Sequence, residues 1–441
     1  MDDTFDLLIR GGRAVTPGGV GDADVGVRSG RIAALGDLAG AKALETLDAS
    51  GLLVLPGVID SQVHFREPGL EHKEDLATGT AAAVLGGVTA VFEMPNTRPP
   101  TIDAAALDDK LDRARGRAWC DVAFFVGASP ENVDALGELE RRPGCAGVKV
   151  FMGSSTGSLL VEDDETLERV LRSGHRRVAV HAEDEPRLRE RHGIAADRHD
   201  PAAHPDWRDV ETAVRATRRL LALARRTRRP VHVLHVTTAG EAALLAEHKD
   251  VASMEVTPQH LTFAAPECYE RLGTLAQMNP PIRSAEHREA LWRAVATGLV
   301  DVVGSDHAPH TLEEKARPYP DSPSGMPGVQ TMLPLMLDHV AAGRLTIERL
   351  VDLLCAGPAR VYGAATKGRL AAGFDADIAL VDPGARRTIT NDAIASRCGW
   401  TPFDGMEVRG WPVATIVRGR VVMRDGELLG EPSGRPVAFL P

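Results

Sequence analysis

The chain has 441 residues, 43% hydrophobic and 26% charged, with a formal net charge of −11. That length suits one large barrel plus a smaller module. The acid excess argues against nucleic-acid or anionic-membrane partners, whose phosphates recruit basic patches. The arginine run Arg225-Arg226-Thr227-Arg228-Arg229 reads as a solvated helix end. No apolar run approaches the roughly 20 residues that span a bilayer. The start, Met1-Asp2-Asp3-Thr4-Phe5-Asp6, has no apolar targeting core. Cys120, Cys145, Cys268, Cys355 and Cys398 form no CxxC pair, which suits a reducing cytoplasm and excludes a thiolate zinc knuckle. A soluble cytoplasmic protein is expected.

The elements follow in chain order. Short strands separated by glycine turns are predicted at Asp6-Leu7-Leu8-Ile9-Arg10, Asp24-Val25-Gly26-Val27 and Arg31-Ile32-Ala33-Ala34-Leu35. From about 55 to 365 short apolar strands alternate with amphipathic helices. The strand candidates are 90–94, 122–126, 147–151, 178–181, 231–235 and 302–306, and the clearest helices run from Ala106 to Arg115 and from Asp209 to Arg225. The β texture returns at 377–381, 414–418 and 420–422. Repeated strand–helix units imply a parallel sheet, open or closed. His181, His235 and Asp306 each close a strand candidate, and a barrel gathers all strand C-termini at one mouth. The expectation is therefore an α/β fold. Residues 55–365 form a (β/α)₈ barrel of the TIM type, and residues 1–54 and 366–441 combine into a small β-sandwich.

The densest motif is Gly57-Val58-Ile59-Asp60-Ser61-Gln62-Val63-His64-Phe65-Arg66-Glu67-Pro68-Gly69. It resembles the first-strand signature of the amidohydrolase superfamily, in which two alternate histidines face a metal. His72-Lys73-Glu74-Asp75, Glu93-Met94-Pro95-Asn96-Thr97, Lys149-Val150-Phe151-Met152-Gly153, His181-Ala182-Glu183-Asp184, Asn279-Pro280-Pro281-Ile282-Arg283 and Ser305-Asp306-His307-Ala308-Pro309-His310 are similar to the dihydroorotase branch. The likeness covers nearly the whole chain.

That resemblance implies metal ligands at His64, Lys149, His181, His235 and Asp306, with Lys149 converted by carbon dioxide to an anionic carbamate. Imidazole nitrogens and carboxylate oxygens suit zinc. Gln62 departs from the family's histidine, and a neutral amide oxygen is a weaker zinc ligand. One tightly held zinc is expected, with the second position open. Pro258-Gln259-His260 departs where relatives often have Pro-His-His.

Arg66 lies two residues beyond His64 and should face the same mouth, where its fork can bind a carboxylate in bidentate fashion. By resemblance Asn96 and His310 also hold the carboxylate, Asn279 contacts the ring, and Asp306 serves as general base and acid. The implied reaction is reversible hydrolysis of dihydroorotate by a homodimer. Glycines in Pro323-Ser324-Gly325-Met326-Pro327-Gly328 suit a mobile loop over the mouth. Two other readings stay open. One is a hydrolase of allantoin, a hydantoin or a cyclic imide. The other, motivated by Gln62, is a silent subunit that scaffolds aspartate transcarbamoylase.

Overall fold

A computed structural model describes residues 4–154 and 159–440. Its centre is an eight-stranded sheet whose strands follow one another in chain order. They are Val58–Val63, Val88–Glu93, Asp121–Gly127, Cys145–Phe151, Val178–His181, Val231–Val233, Ala252–Val256 and Val302–Val303. Every neighbouring pair is parallel. The chain beyond the last strand returns to the first: Val63 bridges His307, and His64 N–H donates to the His307 carbonyl at 2.7 Å. The sheet thus curls into a barrel with all C-terminal ends at one mouth.

The barrel strands are buried along their whole length, as expected of a parallel sheet covered on both faces. Aspartates cap the helices that follow. Asp75, Asp103, Asp163 and Asp209 each accept from the backbone N–H three residues on, satisfying an end donor that has no partner in the helix. Capping explains small shifts from expectation. The helix expected from Ala106 starts at Ala104, directly after Asp103, and the one expected from Asp209 starts at Val210 and runs to Thr227. Ala252–Val256 was not among the sequence candidates, because Ser253 and Glu255 interrupt its apolar pattern although both are buried.

Two further sheets form the flanking module. One is four-stranded, in the order Arg31–Gly36, Asp24–Arg28, Phe5–Arg10 and Ala43–Asp48. The other is seven-stranded and joins the two ends of the chain, since Leu53–Pro56 pairs antiparallel with Ile378–Thr388. Leu7, Ile9, Val25 and Val27 share a core with Val54, Ile378, Leu380 and Ile416, so the sheets pack face to face. Among the described residues no helix is long and apolar enough to cross a membrane. All five cysteines are buried and unpaired.

Barrel and sandwich meet over a buried ion network. Lys367 Nζ lies 2.6 Å from Asp121 Oδ2 and 3.3 Å from Asp375 Oδ2, and it also pairs with Asp377. Arg418 Nη2 reaches Asp121 Oδ2 at 2.8 Å. The three carboxylates are close enough to share a metal ion, but Lys367 and Arg418 already form ion pairs with them. Removing one member of such a network leaves an uncompensated buried charge. Lys367→Met should therefore lower the unfolding free energy by about 3–5 kcal/mol in denaturant titrations. A loss below about 1 kcal/mol would mean that Arg418 alone suffices.

Candidate active site

Six sequence-predicted groups converge at the barrel mouth. Gln62 and His64 alternate along the first strand and its extension, so both point inward. His64 Nε2 lies 3.2 Å from Asp306 Oδ1, and Gln62 Nε2 donates to the same oxygen at 3.0 Å. His181 ends the fifth strand, and its Nδ1 is 3.0 Å from His235 Nε2. Lys149 stands on the fourth strand with its Nζ 4.5 Å from the centre of the Phe151 ring. These residues line one small cavity of about 20 Å³ together with Arg66, Asn96 and Asn279.

Local backbone aims some of these side chains. The strands expected to reach His235 and Asp306 stop at Val233 and Val303. Beyond them His235 (φ 36°) and Asp306 (φ 46°) enter the left-handed region, as does Arg66 (φ 66°). Each such residue costs on the order of 1–3 kcal/mol, a strain typical of functional sites.

Burial sets the electrostatics. Desolvation pushes the Lys149 pKa down to about 7, so near neutrality much of its amine is uncharged. Desolvation also lowers His64, His181 and His235, leaving neutral imidazoles. Glu183 Oε2 stands 3.0 Å from His181 Nε2. Although burial alone would raise it, Arg208 and His181 hold that carboxyl below its ordinary range. A carboxylate behind an imidazole fixes its ring orientation, as behind metal-ligating histidines.

The donor set fits a metal ion. Gln62 Oε1 and His235 Nδ1 are buried without a hydrogen-bond partner. The imidazole nitrogens of His181 and His235, 3.0 Å apart, are neutral and can share a cation. Buried polar atoms are normally satisfied, so this convergence is costly unless something binds there. His64, Lys149, His181, His235 and Asp306 are the residues that could hold it, and Gln62 presents its amide nitrogen, not its oxygen, to Asp306.

The other end of the cavity is cationic. Arg66 is 2% exposed, yet its guanidinium lines the cavity. Its Nε donates to the Pro309 carbonyl at 3.1 Å, and burial lowers its pKa only to about 10, so it stays charged. Asn96 Oδ1 meets His64 Nδ1 at 2.7 Å, and Asn279 Oδ1 meets His204 Nε2 at 2.9 Å. His310 stands behind Arg66, with Nε2 at 3.2 Å from Arg66 Nη2. The loop expected to be mobile lies closed over the site. Gly325 N–H donates to Gln277 O at 2.9 Å, and Ala308 N–H donates to Met326 O at 2.9 Å. At Gly325 (φ 137°) a Cβ would strike the Ala308 carbonyl, so glycine permits the close cover. Asn279 and Ser324 also line an outer chamber of about 680 Å³ that includes Leu188 and Trp207.

Sequence reasoning missed several supports. Beneath the site Glu255 meets Ser61 Oγ and His232 Nε2, each at 3.3 Å, and burial followed by Asp306 pushes its pKa up to about 8. Gly304 leaves room for that carboxylate, since a Cβ there would lie 2.9 Å from it. Gln259 donates to the Ser305 carbonyl at 2.8 Å and so braces the backbone before Asp306. Lys73 and Glu314 flank His310, and Trp400 Nε1 donates to the His310 carbonyl at 2.7 Å. A lysine and a glutamate near the known motifs gave a weak signal for the first two; nothing local marks Trp400.

A model of the Amidohydrolase family matches residues 53–422. A dihydroorotase of Halobacterium salinarum is 40% identical over 386 residues, covering 87% of this chain and 89% of that protein. An allantoinase of Rubrobacter xylanophilus is 39% identical over 453 residues, covering 98% and 97%. Among solved structures, the L-hydantoinase (dihydropyrimidinase) of Arthrobacter aurescens superposes with a TM-score of 0.94 at 32% identity, covering 98% of this chain and 99% of that one. With its parallel barrel, its inward-facing imidazoles and this breadth of likeness to ring-opening hydrolases, the chain belongs to the amidohydrolase family as a cyclic amidohydrolase.

Proposed function

We propose that this protein is a zinc-dependent dihydroorotase of cytoplasmic pyrimidine biosynthesis, interconverting dihydroorotate and N-carbamoyl-aspartate. The observation that carries this reading is Arg66: a buried, charged guanidinium in the same cavity as the imidazoles. A buried cation calls for an anionic partner, and a carboxylate matches its fork. Dihydroorotate carries such a carboxylate; allantoin, hydantoin and dihydrouracil do not. Dihydroorotases among the relatives support the same choice.

His181, His235 and a Lys149 carbamate would hold the tighter zinc, while His64 and Asp306 face the position that Gln62 has altered. When bound, the metal supplies Lewis acidity toward the ring carbonyl and lowers the pKa of water. The chain does the rest. Burial keeps much of the Lys149 amine uncharged, the form that attacks carbon dioxide and releases a proton as the carbamate forms. Arg66 and Asn96 orient the carboxylate end, and Asn279 lies against the ring. Asp306 takes the proton of the attacking water and returns it to the ring nitrogen as the carbon–nitrogen bond breaks. The segment carrying Ser324 and Gly325 borders the cavity and shields it from bulk water.

The outer chamber, with Leu188 and Trp207, favours a second reading as a hydrolase of a larger cyclic amide such as a substituted hydantoin. Parallel assays with dihydroorotate, allantoin, dihydrouracil and a substituted hydantoin separate the two. A silent scaffold for aspartate transcarbamoylase is disfavoured, because Lys149, His181, His235 and Asp306 all line one cavity.

Three tests address this reading. Asp306→Asn should keep the fold and reduce turnover by about 10²–10⁴-fold, since an amide cannot shuttle the proton. Turnover within tenfold of the parent would remove Asp306 from the acid–base role.

Arg66→Met should raise KM for dihydroorotate about 30- to 150-fold, the loss of a charge-assisted contact worth roughly 2–3 kcal/mol. Unchanged kinetics would end the case for this substrate.

After extensive dialysis, metal analysis should find about one firmly held zinc per chain, because the amide of Gln62 replaces an imidazole at the other position. Gln62→His should tighten a second ion. Two zinc ions retained by the parent protein would overturn the one-metal reading.

A further inference from the structure

The ring nitrogens of His310 have unequal neighbours. Nδ1 lies 3.0 Å from Lys73 Nζ, and that same Nζ is 3.0 Å from Glu314 Oε1. An ammonium has three donors and no lone pair, so Nδ1 must accept. The nearest carboxylate oxygen to Nδ1, Glu314 Oε2, is 3.7 Å away and beyond hydrogen-bond reach. His310 is fully buried, and burial, with the Arg66 charge next in weight, pushes its pKa down to about 3. The ring is neutral and carries one proton, which the bond from Lys73 leaves to Nε2.

The surroundings of Nε2 then become legible. It stands 3.0 Å from the Ser324 carbonyl and 3.2 Å from Arg66 Nη2. The guanidinium is donor only, so Nε2–H donates to Ser324 O. The approach of Arg66 places two donors side by side. A guanidinium N–H beside an imidazole N–H is an arrangement suited to a carboxylate, and here a carbonyl from the closed loop takes an acceptor's place. Ser324 lines the catalytic cavity beside Arg66, and that cavity, at about 20 Å³, has no room for a ring while the loop stays where it is.

We infer that Lys73 is a positioning residue that holds His310 as its Nε2–H tautomer, and that the Ser324 carbonyl keeps the place of a substrate carboxylate oxygen until substrate displaces it. The inference rests on the reading of the substrate as an anion. In this arrangement the loop closes on a donor pair that the substrate later uses, so carboxylate binding and loop closure compete for one N–H. Without Lys73, the nearest partner for Nδ1 is Glu314, which accepts. The proton then moves to Nδ1, and Nε2 turns its lone pair toward Ser324 O and the substrate carboxylate.

The test uses the metal-loaded full chain. In protein labelled with ¹⁵N-histidine, and with His310 assigned by His310→Gln, the ring proton should sit on Nε2 in the parent and on Nδ1 in Lys73→Met. Lys73→Arg, which offers donors only, should restore Nε2–H. Kinetically, Lys73→Met should raise KM for dihydroorotate about tenfold, with the effect on KM and not kcat, and should leave KM for uncharged dihydrouracil unmoved. A parent ring protonated at Nδ1, or a proton that stays on Nε2 in Lys73→Met, overturns the role of Lys73 even if the variant folds poorly, because the parent spectrum alone can decide it. A proton that moves while dihydroorotate KM does not change overturns the role of Ser324 as a carboxylate stand-in. Absence of dihydroorotate turnover in the parent would defeat the substrate reading, whereas the spectra would still decide the tautomer.

Discussion

Loss of water at the barrel mouth is the constraint on which the rest of the site depends. Lys149, His64, His181 and His235 are buried there, and each is driven toward its uncharged form. A hydrated lysine would remain an ammonium and repel a cation; a desolvated one can offer a lone pair. The surrounding strands, rich in Val, Ala, Ile and Phe, provide much of the low-polarity wall. The same desolvation strengthens the interactions of Arg66, which stays charged, and of Asp306 with His64 and Gln62. The left-handed backbone at Arg66, His235 and Asp306 is stabilised by this packing, since nothing local favours it.

Gln62 changes the logic of one half of the site. Its amide nitrogen donates to Asp306 Oδ1, the oxygen that His64 Nε2 also approaches. Gln62 thus presents a donor to the cavity, and Asp306 Oδ1 is approached from both sides. That arrangement orients Asp306 without needing a cation between them. It also leaves Gln62 Oε1 buried and unpartnered, a residual cost that rotation of the amide could relieve by offering oxygen to an ion. On the proposed function, the residue would couple metal affinity to the hydrogen bonding of Asp306.

Much of this was legible in the sequence, for identifiable reasons. Valine-rich runs such as Val178–His181 announce buried parallel strands, and polar residues at their ends locate the mouth. Ala252–Val256 escaped notice because Glu255 is a buried carboxylate matched by Ser61 and His232, partners 194 and 23 residues away. The residues at the strand ends, His64, Lys149 and His181, were visible because strands fix their direction. The anion end was less visible. The position of His310 behind Arg66 depends on a turn, and the supports at Lys73, Glu314 and Trp400 come from three separate stretches of chain.

Trp400 ties the flanking module to the anion-facing end of the cavity. The segment between the long strands Ile378–Thr388 and Glu407–Val417 leaves the sandwich and runs to the barrel mouth. There Trp400 donates to the His310 carbonyl, and Ser396 contacts Glu74, which also meets His307. His307 in turn accepts at Nδ1 from the Gly328 N–H at 3.1 Å, at the end of the loop that covers the site. The backbone from Asp306 to His310 is thus clamped from outside the barrel, and Arg66 takes its bearing from Pro309 within that stretch. A site whose chemistry needs tenths of an ångström in placement cannot rely on a short terminal strand such as Val302–Val303 alone. The sandwich, held to the barrel by the Lys367 network, supplies the rigidity that this last strand lacks.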